Sequence, residues 1–590
     1  MHRPGDPDRR LRFALLVTLF VLSLFAGRLI QLQGLDAAAL AEAALKQRTE
    51  DRVLPAHRGD ITDRFGAVLA TTVERRHITV DQRVVGCYKI VRCRRPNPQN
   101  LGQVTGVAAA ARDLSRPLGM SQAALVDKLS GNQPFRYVRK DVSPDVWREV
   151  AGLGIPGLNS EQASRRVYPG GQVGAALVGF LGKDGKPLDG LERTWDATLA
   201  GTDGSLRYER SRDGRQITTS PVAEVEPQSG QTVRLTLDRD LQWRAQEALA
   251  AKVAQTGADS GYAVVMDPRT GDILALASVP TFDANTPGAA RAADRGNRAL
   301  LDVFEPGSTS KVITVAAALE ERLVTPQTRL TVAGQIHRAD RTFHDSHAHG
   351  PEKLTVAGVL GRSSNVGTIM TGERLAPTKL YDYLTRFGVG EQSGIGLPES
   401  AGILARAADW NGSQRYTVMF GQGLSVTAVQ SAAVFATLAN DGVRVTPRLV
   451  SAVVDPDGTV HRSPASRGTR AVSAQTARAM RLMLENVVGD EGTAARAEIP
   501  GFRVAGKTGT AQYSDASCGC YRGYTASFIG MAPADTPELV TAVVLQRPVR
   551  GHFGGTVAAP VFQELMSYAL AKRGVTPTGL KAPVVPMTWR

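Results

Sequence analysis

The segment Ser308-Thr-Ser-Lys311 places a hydroxyl and an amine one helical turn apart, directly after Gly307. Because an apolar run with helical spacing follows, Ser308 is expected at a helix N-terminus with Lys311 on the same face. Free backbone N–H groups and the positive end of the helix dipole favour a developing anion there. A serine becomes a nucleophile when a base takes its proton, and a buried lysine with a lowered pKa can be that base. Alone, the four residues also fit an N-cap serine followed by an ordinary surface lysine.

Two further motifs complete a set that serine acyltransferases carry in the same order. Ser363-Ser-Asn365 lies in RSSNVGTIM, beside a predicted helix, and Lys507-Thr-Gly-Thr510 lies in RVAGKTGTAQ, on a predicted strand. The order, the spacing and the predicted elements all agree with that set. The sequence therefore predicts a site where a serine is acylated and then passes the acyl group on.

The segments around these motifs predict one α+β domain that begins near residue 232. A β-hairpin signature, GYAVVMD and DILALAS, comes early in it and turns at Pro268-Arg-Thr-Gly271. Helical periodicity is found at 308–322, 353–373, 427–440 and 474–489, and the third stretch opens with the capping box Thr427-x-x-Gln430. Strands are predicted at 502–513, 524–532 and 538–546, and a last helix at 557–572.

The region before this domain has a different pattern. Residues 34–219 alternate short apolar runs with turn signals, which predicts an elongated mixed α/β region. The Pro-containing stretch 217–231 is the predicted linker, and the residues after 573 contain prolines and show no pattern. A chain of 590 residues is too long for one ordinary core, so two or three domains are expected.

An uncharged apolar segment, Phe13–Gly27, lies between Arg12 and Arg28. With its apolar neighbours, residues 11–32 are long enough to cross the ~30 Å hydrocarbon core of a membrane. A cleaved signal peptide is the alternative, but the sequence continues as RLIQLQ where a small-x-small cleavage site should stand. We therefore expect an uncleaved transmembrane helix. The arginines before it predict that residues 1–10 stay in the cytoplasm and that the rest is outside.

The net charge of +14 is compatible with nucleic acid, an anionic membrane surface or an acidic polymer such as a cell wall. The arginines are scattered, no basic stripe alternates with aromatic residues, and no zinc-finger spacing occurs. We therefore expect no nucleic-acid partner. The charge by itself also fits a solvated basic surface.

The four cysteines form two local pairs, Cys87–Cys93 and Cys518–Cys520. Neither pair has the spacing of a zinc site. In an exported region the first pair predicts a disulfide, and the second is a weaker candidate because C-x-C closes a strained ring.

Three histidines, His344, His347 and His349, lie within FHDSHAHG. Three imidazoles this close can converge on zinc. The stretch ends in glycine and has the composition of a polar loop, so we expect a loop without a metal and keep a zinc site as the alternative.

Taken together, the motifs resemble those of class B penicillin-binding proteins, and the resemblance extends over nearly the whole chain. Further matching stretches are RGDITDRFGAVLA (58–70), YPGG (168–171), MDPRTGDILALAS (266–278), GQGLSVTAVQ (421–430) and NVVGDEGTA (486–494). The resemblance implies a cytoplasmic tail over 1–10, the transmembrane helix over 11–32, a pedestal (dimerisation) domain over 33–225, a transpeptidase domain over 232–575 and a tail over 576–590. It implies no metal and no cofactor.

The resemblance also implies roles for the reacting groups. Ser308 would attack the penultimate D-Ala carbonyl of a peptidoglycan stem peptide, with Lys311 as its base. Ser363 would relay a proton toward the leaving amine, and Asn365 would hold the substrate amide. Lys507 would add a positive field.

The segment Thr508-Gly509-Thr510 would bind the substrate, with Thr510 anchoring its terminal carboxylate. The backbone N–H groups of Ser308 and Thr510 would form the oxyanion hole. Gly509 is expected to let the substrate backbone approach the strand closely. Ser310 stands where this family often has phenylalanine, which should affect only local packing.

The implied function is D,D-transpeptidation that cross-links stem peptides, is blocked covalently by β-lactams and serves septal wall synthesis. The implied partners are stem peptides, β-lactams, the membrane, a glycosyltransferase and other divisome proteins.

The sequence leaves several functions open beside septal D,D-transpeptidation. Glu305 is the only carboxylate in the segments expected to line the cleft, 304–311, 361–368, 421–427 and 505–513, and it should point away from the acyl carbonyl. This argues against a β-lactam hydrolase or a D,D-carboxypeptidase of the same fold. A transpeptidase of cell elongation and a non-catalytic scaffold also compete with the septal function. Residues 33–230 lack the acidic motifs of a glycosyltransferase.

Overall fold

The computed structural model describes residues 7–90, 105–209, 223–466, 468–515 and 517–590. Up to residue 225, the helices are α1 (Pro7–Ile30), α2 (Ala37–Arg48), α3 (Gln82–Val85), α4 (Gly106–Leu118), α5 (Gln122–Leu129), α6 (Pro144–Gly152), α7 (Ala175–Val178), α8 (Gly190–Thr194) and α9 (Asp196–Leu199). The strands in this part are β1 (Thr49–Leu54), β2 (Ile61–Thr62), β3 (Val68–Val80), β4 (Arg136–Val142), β5 (Leu158–Val167), β6 (Gly204–Glu209) and β7 (Ala223–Val225).

The later helices are α10 (Arg239–Thr256), α11 (Arg298–Leu301), α12 (Lys311–Glu320), α13 (Val356–Arg362), α14 (Asn365–Gly372), α15 (Pro377–Arg386), α16 (Gln414–Thr417), α17 (Ala428–Ala439), α18 (Ala474–Glu485), α19 (Gly554–Val557) and α20 (Ala559–Arg573). The later strands are β8 (Thr232–Leu235), β9 (Ser260–Met266), β10 (Ile273–Val279), β11 (Arg329–Val332), β12 (Gln335–Arg338), β13 (Arg341–His344), β14 (Glu352–Thr355), β15 (Val443–Val445), β16 (Val450–Val454), β17 (Val460–Arg462), β18 (Gly468–Arg470), β19 (Ala505–Asp515), β20 (Cys520–Ala532) and β21 (Leu539–Gln546).

Helix α1 carries its apolar side chains exposed on every face, including Phe13, Leu16 and Phe25. A π-helical turn extends it, so that Pro7–Leu35 forms 29 helical residues with a mean hydropathy of 2.3 over its most apolar window. Among the described residues it is the one helix long and apolar enough to cross a membrane. The helix agrees with the predicted anchor and begins a few residues earlier than expected.

The described chain forms two compact units. The smaller unit contains α1, α2 and the antiparallel sheet β1–β6–β7, in which Thr49 pairs with Glu209 and Leu54 with Gly204. The other unit comprises residues 59–199 and 231–590, apart from the undescribed positions. Part of the stretch expected to be a linker is therefore ordered, because residues 223–225 form β7.

In the larger unit, a seven-stranded sheet has the order β17–β16–β8–β2–β3–β4, with β5 paired to β3. Strands β2 and β8 pair in parallel, with Ile61 opposite Val233. Strands from before residue 170 and after residue 231 therefore share one sheet. A separate small core, which includes Ile78, Leu114 and Leu125, lies beneath α4 and α5.

The second large sheet is antiparallel, with the order β10–β9–β21–β20–β19. Every residue of β9, β10 and β21 is buried, as expected for strands covered on both faces. Helices α10 and α20 pack together against this sheet, and α17 also packs on it. The predicted hairpin is β9–β10, and the capping box of Thr427 and Gln430 at the start of α17 is confirmed. The expected α+β fold is correct.

One predicted helix is wrong. The stretch 353–373 contains the strand β14 followed by two helices, α13 and α14, which are separated at Ser363. Ser363 ends α13 in the left-handed region, with φ of 60°, and Ser364 then caps α14 by accepting from the N–H of Gly367. The sequence keeps its helical periodicity across the break because both helices bury their apolar faces. The break itself comes from the left-handed turn at Ser363 and from the Ser364 hydroxyl that caps α14, which periodicity does not report.

The C-terminal residues, for which the sequence shows no pattern, pack against β14 and α13. The N–H of Thr355 donates to the carbonyl of Met587 at 2.9 Å, and its hydroxyl donates to the carbonyl of Pro586 at 2.6 Å. A Cβ atom on Gly358 would lie 1.9 Å from the Met587 carbonyl oxygen. The glycine therefore leaves the space that this segment occupies.

Candidate active site

The first motif lies where a tight turn becomes a helix. Gly307–Ser310 forms a 3₁₀ turn that continues directly into α12, which begins at Lys311. The N–H of Gly307 donates to the carbonyl of Gly421 at 2.9 Å, which ties the turn to the GQG segment. Ser308 is half-buried and lines a cavity of about 550 Å³. The expected helix N-terminus is therefore present, although its first turn is tighter than an α-helix.

Lys311 points into the protein rather than into solvent, with 0% of its surface exposed. Its Nζ donates to the carbonyl of Ser363 at 2.5 Å and lies 3.4 Å from the Ser363 hydroxyl. Burial lowers the pKa of Lys311 to about 7, against the opposing effect of Asp345. No hydrogen bond joins Lys311 to Ser308 among the described residues, and catalytic hydrogen bonds often tighten only when substrate binds. With a pKa of about 7, Lys311 is about half deprotonated near neutral pH and can act as a base.

Ser363 lies between two amines. Its hydroxyl accepts from Lys507 Nζ at 2.8 Å. The Nζ of Lys311, from the first motif, lies 3.4 Å from the same hydroxyl. The left-handed backbone at Ser363 directs the side chain away from both α13 and α14 and toward this point. One hydroxyl can therefore exchange a proton with either lysine.

Lys507 is also 0% exposed. Burial, and then the charge of Lys311, lower the pKa of Lys507 well below its usual value. Its Nζ lies 3.3 Å from the hydroxyl of Thr508, which in turn lies 2.9 Å from the hydroxyl of Thr493. Because two buried like charges repel, the Lys311–Lys507 pair holds fewer protons than two surface lysines at the same pH.

Asn365 is the first residue of α14, and its side-chain amide donates to the carbonyl of His344 at 2.9 Å. The neighbouring loop brings in a residue that the sequence analysis missed. Asp345 accepts from the backbone N–H of Asn365 at 2.5 Å and from the hydroxyl of Ser364 at 2.6 Å. Its only signal was its place inside FHDSHAHG, which drew attention to the histidines instead.

The histidines of that loop do not gather. Among the described residues, no three His, Cys, Asp or Glu side chains are arranged to hold a metal ion. His347 lines the cavity and stacks on Phe553, and His349 lies 3.0 Å from Asp345. The zinc alternative therefore has no support in the structure.

The strand β19 forms one wall of the cavity through Thr508 and Thr510. It pairs with β20 and is the edge strand of its sheet among the described strands, so an extended peptide could add beside it. The hydroxyl of Thr510 accepts from the N–H of Gly554 at 3.2 Å. A Cβ on Gly509 would lie 2.3 Å from the Ser527 hydroxyl. Packing within the protein is thus a further reason for a glycine at this position, and the expected close approach of the substrate stays a prediction.

Aromatic side chains form another part of the wall, which the sequence analysis also missed. Tyr524 and His552 stack with ring centres 4.4 Å apart, and His552 and Phe553 are equally close. All three line the cavity. They come from β20 and from the loop before α19, so nothing in the local sequence indicates that they meet.

Glu305 does not line the cavity. Its carboxylate accepts from the N–H of Gly423 at 2.9 Å and from the hydroxyl of Tyr521 at 3.1 Å. Burial raises the pKa of Glu305. Gly423 and Tyr521 thus hold one oxygen of Glu305, Oε1, while the other, Oε2, is buried and has no hydrogen-bond partner among the described residues.

Cys518 and Cys520 form a disulfide near the connection between β19 and β20. The less favoured of the two predicted pairs is thus present. The other predicted pair includes Cys93, which lies outside the described residues.

Comparison with known proteins agrees with this geometry. The penicillin-binding protein transpeptidase domain matches residues 261–567, and the penicillin-binding protein dimerisation domain matches residues 53–235. Penicillin-binding protein PbpB of Mycolicibacterium smegmatis is 38% identical over 97% of this chain and 90% of its own length. Peptidoglycan D,D-transpeptidase FtsI of Escherichia coli K12 is 31% identical over 96% of this chain and 93% of its own.

Solved structures are similar over the same extent. Penicillin-binding protein 3 of Mycobacterium tuberculosis, complexed with aztreonam, has a TM-score of 0.70 and 33% identity, and the match covers 91% of this chain and 100% of that one. A peptidoglycan synthetase of Bifidobacterium adolescentis has a TM-score of 0.73 and 31% identity, covering 92% and 100%. The chain therefore belongs to the class B penicillin-binding proteins, with a dimerisation domain followed by a transpeptidase domain.

Proposed function

We propose that the chain is a peptidoglycan D,D-transpeptidase that cross-links stem peptides through an acyl-enzyme on Ser308. The observation that carries the proposal is the buried pair Lys311–Lys507, which meets at Ser363 beside the cavity that Ser308 lines. Relatives above 30% identity are named peptidoglycan D,D-transpeptidases. We further propose that β-lactams acylate the same serine, since a similar structure holds aztreonam.

In the first half-reaction, neutral Lys311 takes the proton of Ser308, and the freed oxygen attacks the penultimate D-Ala carbonyl. The N–H groups of Ser308 and Thr510 stabilise the oxyanion, a contribution of about 3–4 kcal/mol for such a donor. Ser363 lies within reach of both lysine amines and relays a proton to the leaving D-Ala amine. The C–N bond then breaks and Ser308 carries the acyl group.

The substrate is held beside the strand β19. Lys507 supplies the positive field, Thr508 and Thr510 bind the terminal carboxylate, and Asn365 holds the substrate amide. Gly509 keeps the strand and the nucleophile's turn in close contact, since its missing Cβ leaves room for Pro306. In the second half-reaction, the amine of a neighbouring stem attacks the acyl carbon and returns the proton to Ser308.

The apolar helix α1 fits a single-pass membrane anchor, in keeping with the length of Pro7–Leu35. We place the N-terminal tail in the cytoplasm and the catalytic domain outside, because arginines precede the helix. The proposed domains are a pedestal over 33–225 and a transpeptidase domain over 232–575. The proposed partners of the pedestal are a glycosyltransferase and other division proteins.

The first prediction concerns the nucleophile and the side of the membrane. A membrane-impermeant fluorescent penicillin should label the full-length protein on intact spheroplasts, and Ser308→Ala should abolish labelling. Ser310→Ala is the matched control and should label normally, because Ser310 is buried two residues away. Labelling only after lysis would contradict the orientation, and an adduct located on Ser363 by mass spectrometry would contradict the nucleophile.

The second prediction concerns the base. The acylation rate should rise with pH as Lys311 loses its proton, with a midpoint near its pKa of about 7 and a plateau above it. Lys311→Arg keeps a cation that cannot act as a base, so acylation should fall by about 10²–10⁴-fold at every pH. Stopped-flow acylation with a chromogenic β-lactam measures both. A near-normal rate in the arginine variant would show that another group deprotonates Ser308.

The third prediction separates a transpeptidase from a hydrolase. An acyl-enzyme persists where no base activates water at its carbonyl, and Glu305 is held elsewhere by Gly423 and Tyr521. The penicilloyl form should therefore last for many minutes to hours when followed by intact mass. A stem-peptide analogue should turn over faster when an acceptor amine is present. Loss of the adduct within seconds, with hydrolysed penicillin accumulating, would make the protein a β-lactamase.

The fourth prediction concerns the cellular role. We propose septal synthesis because the chain is similar over almost its full length to FtsI of Escherichia coli. Depletion should give long filaments. The wild-type gene should restore normal division, and the Ser308→Ala gene should not. Spherical cells would indicate an elongation enzyme, and restoration by Ser308→Ala would indicate a scaffold.

A further inference from the structure

A single carboxylate organises the turn that carries Ser363 and Asn365. The side chain of Asp345, in the connection between β13 and β14, is only 8% exposed. It accepts four hydrogen bonds from described residues. Oδ1 receives the N–H groups of Asn365 at 2.5 Å and Val366 at 2.9 Å. Oδ2 receives the Ser364 hydroxyl at 2.6 Å and faces His349 Nε2 at 3.0 Å.

These contacts hold the Ser363–Asn365 motif at its middle residue, Ser364, and at the N–H of Asn365. The Ser364 hydroxyl donates to Asp345 and simultaneously accepts from the N–H of Gly367 at 2.8 Å, so its rotamer is determined on both sides. The backbone N–H of Asn365 lies in the first turn of α14 and has no acceptor within the helix. A carboxylate is the strongest acceptor for such a group. Ser363 and Asn365 flank Ser364, so neither can shift without breaking this network.

Asp345 also acts through its charge. It raises the pKa of Lys311, in opposition to burial. Burial first, and then the charge of Lys311, lower the pKa of Lys507 on β19. Among the described residues, Asp345 itself pairs with one side chain that can carry a positive charge, His349. Arg362, at the end of α13, is paired with the exposed Glu491.

Both ring nitrogens of His349 meet acceptors. Nε2 faces Asp345, and Nδ1 lies 2.7 Å from the carbonyl of Gly350. Only the doubly protonated ring donates to both. The hydrogen bond to Asp345, then the one to Gly350, raise the pKa of His349, and Glu352 acts in the same direction.

We propose that Asp345 is a positioning residue of the transpeptidase site, whose carboxylate holds the Ser363–Asn365 turn and supplies a negative charge near the buried amine of Lys311. This role rests on the proposed function of Ser308 and Lys311. It separates into a geometric part and an electrostatic part, which two substitutions distinguish. Asp345→Asn has nearly the same shape, and its Oδ1 can still accept from the N–H groups of Asn365 and Val366. It carries no charge, and its amide nitrogen cannot accept from Ser364 or His349 as Oδ2 does. Asp345→Ala removes both parts.

The test is the acylation rate of the full-length protein as a function of pH. In Asp345→Asn the midpoint should move to lower pH by about one unit, because loss of a nearby negative charge makes Lys311 easier to deprotonate. In Asp345→Ala the plateau rate should also fall, by about 100-fold, because the turn is no longer held. His349→Gln removes the cation facing Asp345, so its midpoint should move in the opposite direction, to higher pH.

A matched control is available in the same unit. Asp238 is 9% exposed, caps α10 by accepting from the N–H groups of Asp240 and Leu241, and pairs with Lys572. Asp238→Asn should therefore affect thermal stability as Asp345→Asn does, but leave the midpoint of acylation unchanged.

The outcomes separate this role from the proposed function. A wild-type midpoint in Asp345→Asn, or an equal shift in Asp238→Asn, overturns the role of Asp345 while acylation at Ser308 stands. If Asp345→Asn does not fold, His349→Gln gives the test instead. A midpoint of acylation in that variant that is unchanged, or at lower pH, also overturns the role of Asp345. A wild-type protein that is not acylated at Ser308 rejects the proposed function, and the role of Asp345 with it.

Discussion

Two lysines buried against one hydroxyl are the constraint on which the site depends. Lys311 and Lys507 are both 0% exposed, and both reach Ser363. Burial opposes the charge of each amine and their mutual repulsion opposes it further, so an amine is available as a base near neutral pH. Isolated buried ammonium groups would destabilise the fold, and here the Ser363 carbonyl and hydroxyl, the Thr508 hydroxyl and the Asp345 charge compensate part of that penalty. Reactivity and folding stability are therefore set by the same few contacts.

The reacting groups come from separate elements, so their distances depend on packing rather than on local sequence. Helix α12 packs against α13 and α14, which fixes Lys311 relative to Ser363. The turn that carries Ser308 packs against β19, where Gly509 allows the approach of Pro306. The five-stranded sheet holds β19 in register, with Lys507 opposite Ile529 on β20. The sheet edge and the turn that carries Ser308 therefore both line the cavity.

Much of this arrangement could be predicted from the sequence, because the motifs carry their own local signals. Glycine before an apolar run predicted the start at Ser308, and a Pro-Arg-Thr-Gly turn predicted β9–β10. The break at Ser363 was missed because periodicity reports which faces are buried and not where a backbone turns left-handed. Asp345 and the aromatic wall of Tyr524, His552 and Phe553 were missed because only long-range packing brings them to the cavity. The contacts of Gly509 with Ser527 and Pro306 were also missed, because they too depend on long-range packing.

The segment near Met587 links the stability of the catalytic centre to a distant part of the chain. The hydrogen bond from Thr355 to Pro586 joins residues 231 positions apart. Met587 fills the groove over Gly358 and Gly361, where an added Cβ atom would meet its carbonyl oxygen or its sulfur. Helix α13 ends at the turn that carries Ser363, so this long-range contact supports one side of the catalytic centre. The catalytic centre therefore depends on a contact that closes a loop of 231 positions, so its stability is coupled to that of the segment around Met587.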